Sequence, residues 1–257
     1  MNGRVAIVTG GSKGIGRGIA RAFAEVGADV AIASRNAEEL DAAAEALRSH
    51  TGRRIVAVPC DVNDRAQLEN LVETAWKELG RIDVVVNNAG GTPPRPALRT
   101  SEKMFESAFH FNVTSAFLLS RLAIPKMLEH GDGTILNISS GMSWLVEKGF
   151  VAYGTAKAAL CHMTRLLAYE LAPRVRVNAI AVGAVGTDAL MPFLEAMPEA
   201  RAKLESGTPL QRIGTPEDIA AAAVYLCSPA GAWVTGKVLE VDGGTVASNW
   251  PLELPGV

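Results

Sequence analysis

Short apolar runs alternate with longer stretches of helical spacing along the whole 257-residue chain. The runs are RVAIVT (4–9), ADVAIAS (28–34), RIVAVPC (54–60), DVVVNN (83–88), GTILNIS (133–139), VRVNAIAV (175–182) and KVLEV (237–241). They are rich in Val, Ile and Ala and nearly continuous, as strands covered on both faces are. Between them the chain turns to Ala, Leu and Glu. Ile15, Ile19, Ala22, Phe23 and Val26 fall on one helical face, predicting a helix over 15–26. Further helices are predicted near 37–49, 64–79, 101–129, 152–172, 188–205 and 216–227. The last opens on Thr215-Pro216-Glu217-Asp218, with a capping hydroxyl, a proline and two acids in its first turn. This alternation predicts βαβ crossovers, hence an α/β fold whose parallel sheet carries helices on both faces. No repeat or low-complexity linker divides the chain, so residues 1–257 read as one domain, with GTPPRP (91–96) as a loop. The irregular regions 90–100 and 183–212 fall on the C-terminal side of strands, where open parallel sheets bind ligands.

Composition narrows the function classes. The chain is 48% hydrophobic and 20% charged with a net charge of -2, which is globular and gives no electrostatic case for nucleic acid or a lipid surface. The opening MNGRVAIVTGG enters a strand pattern at once, leaving no room for a secretion signal. No apolar run reaches the ~18–20 residues that span a bilayer. Cys60, Cys161 and Cys227 are odd in number and far apart, fitting three buried reduced thiols and a cytoplasmic setting. No metal site is expected.

Residues 9–16, TGGSKGIG, lie between a predicted strand and a predicted helix. In that context Gly10 serves a tight turn, Gly14 lets backbone approach a ligand, and Gly16 allows close packing. The first N–H groups of the helix then face an anion. Gly10-Gly11-Ser12-Lys13-Gly14 also spells G-x-S-x-G, the turn that exposes a hydrolase serine. That reading needs a histidine near Ser12. His50, His110, His130 and His162 neither end a strand nor sit in a Gly-rich loop. The phosphate cradle is preferred over the nucleophile and over a plain turn.

YGTAK at 153–157 places Tyr153 and Lys157 four apart, on one face of a predicted helix. A phenol titrates near ~10, and an ammonium one turn away lowers that value, giving an acid–base group for a carbonyl oxygen. Ser140, where ILNIS runs into SSGMS, can offer a hydroxyl to the same oxygen.

Together, TGGSKGIG, NNAG (87–90), Asn112 in FHFNVTS, Ser140, YGTAK, VRVNAIAVGAVGTD (175–188) and VTGKVLEVDGG (234–244) resemble the short-chain dehydrogenase/reductases in content and order, over essentially the whole chain. The resemblance implies a seven-stranded Rossmann-type doubly wound sheet, a nicotinamide dinucleotide and a homotetramer. It makes Tyr153 the catalytic acid–base, with Lys157 holding the nicotinamide ribose and lowering the tyrosine's pKa. Ser140 would orient the substrate oxygen, and Asn112 would anchor a water relaying protons to Lys157. Gly10, Ser12, Lys13, Gly14, Ile15 and Gly16 would carry the cofactor's phosphates, Asp61 and Val62 its adenine, and Asn88, Ala89 and Gly90 its length. Gly183, Val185 and Thr187 would meet the nicotinamide end. From the residues alone, Asp61 reads first as a helix-start capping acid in CDVND and Asn88 as strand-end support. Val182 departs from the family, which often has proline there, and a lid is expected over about 183–212.

An NAD-preferring site generally ends its second strand with an acid; here Ser34 and Arg35 stand there, and Lys13 adds a second cation. A guanidinium suits a phosphate fork and an ammonium a point charge, so NADP(H) is expected to be preferred, with NAD(H) still usable. From Gly183 to Gly244 the chain resembles the bacterial 7α-hydroxysteroid dehydrogenase branch. Trp144-Leu145-Val146 and Leu190, Met191, Phe193, Leu194 and Met197 offer apolar cover for a small-molecule alcohol or ketone. Reduction of a 3-oxoacyl thioester is the alternative within the class. A catalytically silent dinucleotide-binding scaffold or regulator is the alternative outside it.

Overall fold

A computed structural model of the chain describes residues 1–252. Seven parallel strands form one sheet: β1 (Val5–Thr9), β2 (Asp29–Ser34), β3 (Ile55–Pro59), β4 (Val84–Asn87), β5 (Gly133–Ser140), β6 (Val175–Val182) and β7 (Val238–Val241). Their spatial order is β3-β2-β1-β4-β5-β6-β7. Each lies within about a residue of its sequence expectation, because unbroken apolar runs flanked by Gly, Pro and Asp are hard to misplace. The order reverses direction between β1 and β4, so the connections leaving those strands part and open a crevice at their C-terminal ends.

Helices cover both faces. On one lie α1 (Gly14–Glu25), α2 (Ala37–Thr51) and α9 (Pro216–Cys227), which close over Val8, Val30, Ile32 and Val86. On the other lie α3 (Arg65–Leu79), α5 (Ser115–Glu129) and α6 (Val151–Leu171), packed on Ile7, Val85, Ile135 and Val177. Ends follow local chemistry. The Asn36 side chain accepts the Glu39 N–H to start α2, the Asp64 side chain starts α3, and Thr215 and Asp218 form a reciprocal capping box at α9.

Two expected helices differ. The 101–129 helix is α4 (Glu102–Phe109), then a π-turn over His110–Thr114, then α5. The 188–205 helix is two short ones, α7 (Met191–Ala196) and α8 (Pro198–Ser206), broken at Met197 because Pro198 cannot continue the first. Their apolar residues Leu194, Ala200 and Leu204 form a small core of their own, with Leu190, Met191, Phe193 and Met197 packed around it. Most of the expected substrate cover on this segment is therefore internal packing. No helix among the described residues is long and apolar enough to cross a membrane.

Candidate active site

The crevice between β1 and β4 is a groove whose larger section holds about 790 Å³, continued by a narrower section of about 230 Å³ at the α6 end. The larger section gathers Gly10, Ser12, Lys13, Ser34, Arg35, Asp61, Val62, Asn88, Ala89 and Gly90. The narrower one brings Gly14, Ile15, Thr187, Tyr153 and Lys157 to the same channel. Residues spread over 170 positions thus converge. The bottom of the groove is knit together by Thr9 and Asn88. Thr9 Oγ1 accepts the N–H groups of Asn88 (3.0 Å) and Ala89 (3.1 Å), and Asn88 Nδ2 donates to the Thr9 carbonyl at 2.8 Å. Asn88 is thereby the support for the Gly-rich loop, whatever else it touches.

Two glycines of that loop leave no room or backbone freedom for a side chain. A Cβ on Gly16 would strike the Gly10 carbonyl oxygen, so its close approach is to the loop itself rather than to the sheet. Gly14 sits at φ +54°, where a side chain is strained, and opens α1 with its N–H free of the helix. That N–H donates to the Asp188 carboxylate at 2.8 Å. Asp188 belongs to the segment after β6 and also lies 3.9 Å from the Arg17 guanidinium. The sequence reading passed over it.

At the β2 end, Arg35 is exposed and has no ion pair among the described residues. Lys13 does have one: its Nζ lies 3.2 Å from Glu39 Oε2, and both line the groove. Glu39 was hidden as one acid among several in an amphipathic helix. Asp61 Oδ1 accepts from Asn63 N–H and Nδ2 at 3.0 Å each, so it caps a turn while lining the groove. Ser12 is buried and makes no side-chain bond to a histidine among the described residues, which leaves the hydrolase reading without its base. No cluster of three His, Cys, Asp or Glu could hold a metal among the described residues.

At the other end, α6 carries Tyr153 and Lys157. Lys157 is buried, with Nζ donating to the Ile138 carbonyl at 2.8 Å and standing 5.7 Å from the Tyr153 ring centre. Burial, without a carboxylate to offset it, pulls its pKa from 10.5 to about 8. Burial raises the Tyr153 phenol, and a hydrogen bond with the Ser140 hydroxyl opposes that rise. Burial is the first cause of both shifts, and it moves the two groups toward their neutral forms. Ser140 is the last residue of β5, and its Oγ also accepts the Met142 N–H at 3.2 Å. Phe150 lies between Tyr153 and Trp250, at ring separations of 6.2 and 5.1 Å, so the chain's C-terminal segment buttresses the tyrosine.

Asn112 sits in the π-turn and is buried. Its Nδ2 donates to the Ala108 carbonyl at 2.8 Å, and its Oδ1 accepts the Gly91 N–H at 2.8 Å. A Cβ on Gly90 would lie 2.8 Å from Asn112 Oδ1 and 3.0 Å from Lys157 Nζ, so only a glycine separates the two side chains. Gly183 and Val185 lie apart from the groove lining. Gly183 packs on Asp242, and Val185 is buried in the core while its backbone pairs with Gly214.

Comparison with known proteins places this geometry. A family model described as enoyl-(acyl carrier protein) reductase matches residues 10–246. An uncharacterised oxidoreductase of Mycobacterium tuberculosis is 53% identical over 256 residues, 99% of this chain and 97% of that one. The 7alpha-hydroxysteroid dehydrogenase of Escherichia coli K12 is 39% identical over 247 residues, 96% of this chain and 95% of that one. A solved 7 alpha-hydroxysteroid dehydrogenase, complexed with NADH and 7-oxo glycochenodeoxycholic acid, superposes with a TM-score of 0.91 at 39% identity, covering 96% of both chains. Fold, strand order and full-length similarity agree: the chain is an oxidoreductase belonging to the short-chain dehydrogenase/reductase family.

Proposed function

We propose that the protein interconverts a secondary alcohol and a ketone, favours NADP(H) over NAD(H), and acts on an apolar, steroid-like small molecule. The observation that carries the cofactor reading is Arg35, a guanidinium at the β2 end of the groove with no ion pair among the described residues, where an NAD-preferring site generally presents an acid. The groove suits a dinucleotide: Gly16 lets the loop close tightly on the start of α1, and the Gly14 N–H at the positive end of that helix already holds one anionic group, the Asp188 carboxylate. Gly10, Ser12, Lys13, Gly14 and Ile15 would hold the phosphates, and Asp61 and Val62 the adenine end.

A bound nicotinamide supplies or accepts hydride; the chain manages the proton. Tyr153, kept protonated by burial, has a proton to give to a carbonyl oxygen, and Ser140, already bonded to that phenol, orients the oxygen. Lys157 is charged below about pH 8 and would hold the nicotinamide ribose of a bound cofactor. Asn112 fixes the Gly91 wall next to Lys157. Trp144 and Val146, exposed just after Ser140, provide apolar surface for the substrate. The similarity to 7alpha-hydroxysteroid dehydrogenase supports the steroid-like class. We also infer a cytoplasmic homotetramer: Phe109, Phe117 and Tyr169 leave apolar surface on α4, α5 and α6, the three cysteines are buried and unbridged, and light scattering at four chain masses is the check.

The test is NADPH oxidation over ketosteroids, acetoacetyl thioesters and small ketones. Steroid reduction is expected, with NADPH preferred and Tyr153→Phe losing about 10²-fold or more in kcat. Thioester activity without steroid activity would install the 3-oxoacyl reductase alternative. Equal kcat/KM for NADPH and NADH would remove the cofactor preference, and turnover indifferent to Tyr153→Phe would revive the silent scaffold.

A further inference from the structure

A second cavity, of about 710 Å³, lies beside the cofactor groove and shares Arg35 and Phe111 with it. Its walls are the β4–α4 connection, α4 and the start of α6. Four basic side chains line it, Arg35, Arg95, Lys103 and His110, and among the described residues no carboxylate does. This runs against the grain of a chain with 27 acidic residues to 25 Lys and Arg. Several arginines elsewhere meet acids, as Arg4 meets Asp83, Arg54 Asp29 and Arg212 Asp218, while Arg99, Arg121, Arg165, Arg174 and Arg176 make no ion pair among the described residues; what sets this cavity apart is that its unpaired cations share one concavity. Arg35, Arg95 and Lys103 have no ion pair among the described residues. Unpaired cations collected in one concavity repel one another and raise the local concentration of anions. The floor is of opposite character, formed by Met104, Ala108, Phe111 and Ala152.

We propose that this cavity binds the charged end of an anionic amphiphile, with a carboxylate or phosphate at Arg95 and Lys103 and an apolar body along Met104 and Phe111. The apolar floor selects an amphiphile over a plain inorganic anion, and the missing acids select an anion over a neutral lipid. The cavity is coupled to the catalytic frame. Its rim includes Gly91 and Thr92, the two residues that Asn112 grips, at 2.8 Å to the Gly91 N–H and 3.3 Å to Thr92 Oγ1. The Arg95 N–H donates to the Gly149 carbonyl at 2.8 Å, tying the same loop to the segment that begins α6. Ala152 on the floor precedes Tyr153. An occupant would therefore press on the backbone between Asn112 and the tyrosine. The proposal extends the family assignment and stands or falls independently of which alcohol the enzyme turns over.

Calorimetric titration of the protein saturated with NADP+ tests it, so that the cofactor groove is filled beforehand. The probes are decanoate, decyl phosphate and decanol, all below their aggregation limits. Wild type is expected to bind at least one anion about tenfold or more tighter than decanol, with the advantage shrinking as salt rises. The double variant Arg95→Gln/Lys103→Gln should lose that advantage while keeping decanol binding, NADP+ affinity and Tm. Both side chains are exposed, so folding is not at stake. Tighter phosphate binding would identify a phosphorylated handle, and tighter carboxylate binding a free acid. The proposal is overturned if decanol matches both anions, if the double variant keeps full anion affinity, or if neither anion binds.

Discussion

Tyr153 and Lys157 show how far spacing alone can be trusted. Four residues on a helix put the two side chains on one face, and that much was legible. The direction of their shifts was not, because it depends on burial that the neighbours create. With Lys157 held at about 8 against its ordinary 10.5, the unfolded chain binds more protons than the folded one between those values. Stability from this group therefore rises with pH across that window, and its burial is most costly below about pH 8. Lys157→Met is expected to be favoured relative to wild type at pH 7, with the gap closing by roughly 3 kcal/mol between pH 8 and 10.5 in urea titrations. A gap flat in pH would mean that the ammonium is solvated in a way its 2.8 Å bond to Ile138 does not reveal. Glu39 is a similar case. Lys13 was visible beside Arg35, but its neutralising partner sits 26 positions away across the β2–α2 turn. Glu39→Gln should raise the NADPH-to-NADH ratio of kcat/KM severalfold by freeing Lys13. A ratio unchanged by it, or lowered, would show that Lys13 takes no part in the choice.

Elements were easier to read than the irregularities inside them. Strand runs, caps and glycine stops are short-range signals, and all seven strands and the α1, α2, α3, α6 and α9 helices followed from them. The π-turn at His110–Thr114 was not legible, because residues 101–129 keep an unbroken helical pattern across it. The extra residue swings Asn112 inward, and π-turns frequently occupy functional sites. A second invisible device lies beneath the groove. Asn87 Nδ2 donates to Asn137 Oδ1 at 2.8 Å, and Asn137 Nδ2 donates to Thr164 Oγ1 at 2.9 Å. All three are buried, and they bolt β4 and β5 to α6 two turns beyond Lys157. Sequence periodicity marks such positions as polar exceptions without saying what they meet. Asn137→Ala would take one partner from the Asn87 amide, which keeps Ser120, and one from the Thr164 hydroxyl, which keeps the Leu160 carbonyl, at a combined cost of about 1–3 kcal/mol. Denaturant unfolding should show the loss. A change below about 1 kcal/mol would mean that water replaces the amide.

Over the whole molecule, a single sheet reversal brings chain segments as distant as residues 10 and 189 to one channel. The family's motifs mark that channel well, since each is a local stretch with a local shape. Contacts between motifs are what the motifs omit, and Asp188 is the one with the widest reach. Its carboxylate holds the Gly14 N–H at the positive end of α1, so the loop after β6 is fastened to the very spot where a helix attracts anions. Any phosphate arriving there meets a carboxylate already seated. Loading then becomes an exchange of one anion for another, and the departing carboxylate takes its loop with it. Release of the spent cofactor would then be drawn along by the returning aspartate. Asp188→Asn should slow that release and tighten cofactor binding severalfold in stopped-flow fluorescence. Faster release from the variant would show that the carboxylate holds the loop over the cofactor instead of competing with it.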